Sequence, residues 1–127
     1  MSQELGTSQA NELLAFLITL ITDINFKISL ASLKIITILF RRRQIQSQKH
    51  FTNLVGVVIE KLSDSKSVVR DAILELCALL IDQYTPPTFI QQIQKSFQIQ
   101  NWHVREGLQI LFARCLIETS ENDSDVF

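Results

Sequence analysis

Three stretches of this 127-residue chain superimpose, and that repetition restricts the fold more than any other feature. Ile28, Val69 and Val104 occupy one register position, 41 and then 35 residues apart. After them come Ser29, Arg70 and Arg105, then Leu30, Asp71 and Glu106, then the small residues Ala31, Ala72 and Gly107. Apolar residues follow at helical spacing: Val69, Ala72, Ile73, Leu76 and Leu80 in the second copy, Val104, Leu108, Leu111, Phe112 and Cys115 in the third. Each of these helices is preceded by another apolar helical segment and a break, "DINFK", "SDSKS" or "IQNWH". The unit is helix, short turn, helix. A period of roughly 35–47 residues in helical hairpins marks an α-solenoid, because one hairpin cannot bury its apolar stripe and stacked hairpins can. The expected fold class is all-α, an α-solenoid of about three HEAT-like helical hairpins and about six helices.

Boundary signals fit this division. Asp64, Ser65 or Ser67 can cap the helix that carries Arg70, with Ser67 the nearest. Pro86-Pro87 ends the preceding helix near Tyr84, and Pro87 can open the next. Arg41, Arg42 and Arg43 fall in a last turn, where cations suit the negative end of the helix dipole. Residues 1–10 read as a flexible N-terminus, 11–118 as the repeat domain and 119–127 as an acidic disordered tail.

Composition excludes several classes. Apolar content of 46% with 20% charged residues is globular, and three glycines with two prolines are too few for a many-stranded β fold. The net charge of −1 predicts no nucleic acid partner and no membrane attraction. The charge is uneven, however: residues 24–117 hold all twelve Lys and Arg against six acids. "LLAFLITLI" is nine residues, too short for a membrane span. The start "MSQELGTSQANE" lacks the basic segment of a signal peptide. Cys77 and Cys115, 38 apart in apolar runs, read as buried reduced thiols of a cytosolic protein. His50 and His103 have no carboxylate or cysteine at ligand spacing, so no metal and no cofactor are expected. Phosphate-loop, nucleophile-elbow and HExxH signatures are absent, and the chain is expected not to be an enzyme.

The hairpin period together with "LSDSKSVVRDA" resembles the HEAT repeat. Asp64 and Arg70, six apart, match the acid and base of that pattern. The first copy keeps Asp23 but has Ser29, and the third keeps Arg105 but has Ile99. More closely, "NFKISLASLKIITIL", "LSDSKSVVRDAILELCALLI" and "NWHVREGLQILFARCL" resemble consecutive repeats of a TOG domain. The type is that of the cytoplasmic linker-associated and Crescerin proteins. The resemblance covers roughly residues 12–118 and about half the repeats of such a domain.

The resemblance implies a tubulin-binding module that docks by the edge formed by its intra-repeat turns, in the cytoplasm at the cytoskeleton, cilium or centrosome. The implied contact residues are Phe26, Lys27, Lys66, Trp102 and His103, with Arg70 and Arg105 just behind them. Arg41 to Arg43 would fall at the opposite edge. Trp102 either anchors a partner or folds back over the helix start. Phe26 is expected to pack under its turn. Lys66, between Ser65 and Ser67, has little apolar material around it and is expected to face solvent. A cation in a first helical turn opposes the dipole, so Arg70 and Arg105 need compensation from outside the helix, with an inter-repeat partner such as Asp64 expected for Arg70. The alternative function is a general HEAT-type adaptor for another protein.

Overall fold

The computed structural model of the chain describes residues 7–43, 50–84, 86–94 and 101–123. They form α1 (Thr7–Ile21), α2 (Phe26–Arg41), α3 (Phe51–Lys61), α4 (Ser67–Gln83), α5 (Pro86–Gln94) and α6 (Trp102–Asp123). No strand occurs among the described residues. The helices pair as hairpins α1–α2, α3–α4 and α5–α6, and the hairpins stack. One layer holds α1, α3 and α5; the other holds α2, α4 and α6, with α4 packed against both α2 and α6. This is a HEAT-like all-α solenoid.

The core follows the repeat. Val69, Ala72, Ile73, Leu76 and Leu80 of α4 are all buried, as are Val104, Leu108, Leu111 and Cys115 of α6. Phe112, which shares the spacing, remains partly exposed. In α2, Leu33, Ile36, Leu39 and Phe40 are covered, whereas Ile28, Ile35 and Ile38 are not. The near-continuous apolar sequence of α2 therefore exceeds what the stack covers.

Buried serines tie α2 to α1, and a glutamine ties the end of α4 to the end of α2. The Ser29 hydroxyl donates to the Ile21 carbonyl at 2.6 Å, satisfying an acceptor that α1 leaves open at its terminus. Ser32 donates to the Leu17 carbonyl at 2.6 Å and fixes α2 against α1. Gln83, at the end of α4, donates to the Phe40 carbonyl at 2.6 Å near the end of α2. Where α3, α4 and α5 meet, the Phe51 ring stacks on Tyr84 at 4.2 Å and meets Phe89 edge-on at 6.5 Å. Arg41 ends α2 as expected for a cation, and it also pairs with Glu75 of α4 at 3.0 Å.

Several boundaries differ from the sequence expectation. α2, α4 and α6 each begin two residues before the register position, at Phe26, Ser67 and Trp102, so they absorb the last residues of the three breaks. α5 opens at Pro86 and not Pro87, since the missing N–H of proline costs nothing at a first helical position. α1 begins at Thr7, inside the segment expected to be flexible. α6 continues to Asp123, into the segment expected to be a disordered tail, because extending an existing helix costs little per residue. Residues 1–6 and 124–127 lie outside the described residues.

Candidate functional site

The N-terminal ends of α2, α4 and α6 lie along one edge of the stack, and all three are built on one plan. Their cap positions are Asn25, Lys66 and Asn101, which are equivalent in the repeat. Asn25 accepts the Lys27 N–H at 3.0 Å through its side chain. Asn101 accepts the N–H groups of His103 at 2.9 Å and Val104 at 3.3 Å. Lys66 has no acceptor to offer and makes no side-chain cap. The expected cap, Ser67, is instead the first helical residue.

In the second turn the work passes to Asp64. Its carboxylate accepts the Lys66 N–H at 2.8 Å, as Asp23 accepts the Asn25 N–H at 2.8 Å in the first turn. Asp64 also pairs with Lys61 at 3.0 Å. Burial pushes its carboxyl pKa up, but the Lys66 N–H, the Lys61 ammonium and the Arg70 charge outweigh that and hold it below the usual value.

Arg70 finds its compensation here. Its guanidinium donates to the Asp64 backbone carbonyl at 2.7 Å. The contact therefore lies within one hairpin and goes to the main chain, which corrects the expectation of an inter-repeat partner. The chain reverses between Leu62 and Ser67 and turns that carbonyl toward the start of α4. Arg105, its repeat equivalent, is exposed and lines a separate hollow with Leu108, Gln109, Phe112 and Leu116. It does not share the hollow that holds Trp102 and Arg70.

Lys66 and Phe26 are joined across the first two turns. The Lys66 ammonium lies 5.0 Å from the centre of the Phe26 ring, within cation–π range. Phe26 is half-buried and packs against the core, as its sequence position suggests. Lys66 is exposed, but it is not without apolar company; stacking brings in a ring from forty positions earlier, which local sequence could not reveal. Lys27 is exposed one residue beyond Phe26.

Trp102 keeps 59% of its surface open, and its ring lies 3.6 Å from that of His103 with a 35° tilt. The indole is thus not a lid folded into the stack. It borders a hollow of about 240 Å³ between α4 and α6, which Arg70 also lines. Ile24 was not singled out from the sequence, yet it is fully exposed at the tip of the first turn. Its signal was present: a β-branched apolar residue inside a polar break, where no helical stripe could claim it. Among the described residues no three metal-ligating side chains cluster, and no helix is long and apolar enough to cross a membrane.

The sequence family described as "HEAT repeat associated with sister chromatid cohesion" matches residues 54–76, the second hairpin from α3 into α4. A CLIP-associated protein of Arabidopsis thaliana is 27% identical over 105 residues, which cover 82% of this chain and 7% of that protein. The chain therefore spans a small part of the length of the curated relative it matches. Together with the stacked hairpins, these similarities support a HEAT-repeat array.

Proposed function

We propose that the chain is a microtubule-associated, TOG-like module that binds tubulin through the edge formed by the starts of α2, α4 and α6. It acts by docking, without catalysis, and in that way regulates microtubule dynamics. The observation that carries this proposal is the common register of the three turns. It sets Ile24, Lys27, Lys66 and Trp102 out toward solvent along one edge. Two exposed apolar side chains flank two exposed lysines, a combination that offers desolvated anchors and electrostatic attraction to an acidic protein surface. The similarity to a CLIP-associated protein supports the choice of partner. The cytoplasm and the cytoskeleton, including the cilium or centrosome, are the proposed locations.

Co-sedimentation with microtubules and gel filtration with tubulin dimers test the proposal. Binding is expected at low salt and should weaken as salt rises. Lys66→Glu should reduce it while changing stability by about 1 kcal/mol or less, the scale of an exposed cation–π contact. Absence of binding in both assays at low salt would exclude the proposal.

A second function, a HEAT-type adaptor for a different protein, is favoured by the partly open face of α6, where Ile110, Phe112, Leu116 and Ile117 are exposed. A stable non-tubulin partner recovered by wild-type protein, with no microtubule co-sedimentation, would support it.

A further inference from the structure

The hollow between α4 and α6 has a charge pattern opposite to that of the turn edge. It lies behind the start of α6 and has a volume of about 240 Å³. The aromatic pair Trp102–His103 forms one wall, and Ile110 continues that wall along α6. Asp71 of α4 and Glu106 of α6 also line it. These two acids are repeat equivalents, so stacking brings like charges to adjacent helices. Both are exposed, and neither has a hydrogen-bond or ion-pair partner among the described residues. The cation that lines the same hollow, Arg70, donates toward the turn, to the Asp64 carbonyl. Elsewhere α2, α4 and α6 are tied by opposite charges, Arg41 with Glu75 at 3.0 Å and Arg114 with Asp82 at 3.5 Å. The Asp71–Glu106 position lacks such a tie.

We infer that this hollow receives an arginine side chain from a basic segment of a partner protein. A guanidinium is planar and can stack on an exposed indole while its N–H groups reach carboxylates on either side. An ammonium offers no flat face for the ring and no fork for two acids. The hollow adjoins the turn edge and shares Trp102 with it, but its charge is opposite: Asp71 and Glu106 here, Lys27 and Lys66 along the edge, which suit an acidic partner. The same array would then offer surfaces of opposite charge, one along its edge and one between its second and third hairpins, that meet at Trp102.

Trp102 is the sole tryptophan of the chain, so its fluorescence reports directly on the hollow. The probe is a capped triarginine peptide, titrated at low salt into the full chain. A saturable change in emission is expected, weakened by salt. An exposed ion pair is worth up to roughly fivefold in affinity, so Asp71→Asn with Glu106→Gln together should weaken binding about tenfold. Both positions are exposed, and circular dichroism should show the double variant folded as the wild type. The citrulline counterpart of the peptide, which keeps the shape and lacks the charge, should not bind. Three results would each overturn the inference: no saturable response in the wild type, undiminished binding by the folded double variant, or equal binding of the citrulline peptide. Microtubule co-sedimentation of the double variant is a separate readout, so failure here is distinguishable from failure of edge docking.

Discussion

The carboxylate of Asp64 accepts the Lys66 N–H and the Lys61 ammonium, while its carbonyl accepts the Arg70 guanidinium. One residue therefore fixes the entry to α4 and offsets a cation in an unfavourable first turn. Asp64→Ala should cost about 1–2 kcal/mol, as for the loss of a cap-type acceptor, measured by urea unfolding at pH 7. Because the folded-state pKa is held below the usual value, the carboxylate's contribution is present above the unfolded value of about 3.9. It is lost as pH falls through the folded value. Stability of the wild type should therefore drop on acidification from about pH 5 to pH 3, and less steeply in Asp64→Asn. Parallel pH profiles for the two proteins would rule out this role. Three residues from Lys66, Val69 is buried; Val69→Asp should destabilise by several kcal/mol, on the order of 3, because it buries an unpaired charge. Lys66→Glu should not, and the contrast, read from thermal midpoints, separates the edge from the core beneath it.

Among the helices, two glycines lie in α3 and α6 with opposite surroundings. Gly56, in the middle of α3, is exposed, and a Cβ there would meet nothing within 4 Å. Gly56→Ala should stabilise by about 0.5–1 kcal/mol, the difference in helix propensity. Gly107 in α6 is buried, and a Cβ there would come 2.8 Å from Leu62 Cδ1 and 3.1 Å from Cδ2. Leu62 is itself buried at the end of α3, so displacing its side chain disturbs the surrounding packing. Gly107→Ala gains the same propensity but overpacks the contact, so a net loss of about 1 kcal/mol is expected. Thermal melts of the two variants should shift in opposite directions; a shift in the same direction would mean that Leu62 yields freely. The repeat explains why position 107 is small: its equivalents are Ala31 and Ala72, but here the Leu62 side chain comes so close that a methyl group would have to displace it.

Across the whole molecule, the apolar interior between the two helix layers determines stability. The ties Arg41–Glu75 and Arg114–Asp82 lie at half-exposed positions, where such pairs contribute about 0–1 kcal/mol each. Cys77 and Cys115 are both fully buried. Burial, with the nearby Cys115, pushes the Cys77 thiol up to about 12, so it stays protonated at neutral pH. Native protein at pH 8 should label with a thiol reagent only through opening of the stack, at a rate that rises with urea. Rapid labelling without denaturant would contradict a closed interior.

The sequence by itself determined the repeat, the all-α class and the helix faces. Val69, Leu76 and Leu80 declare their burial because helical periodicity is a local property that survives without partners. It also marked the turns, since polar residues of the breaks such as Asp64 and Asn101 accept backbone N–H groups only two positions away. The tertiary structure alone decided which turn residues meet. The Lys66–Phe26 contact and the hollow that both Asp71 and Glu106 line bring together residues about 35 to 40 positions apart, and that depends on how closely hairpins stack. It also decided the orientation of Trp102: a short polar break is compatible with an inward or an outward ring. The packing of α6 beside α4 leaves that ring open to solvent at the rim of the hollow.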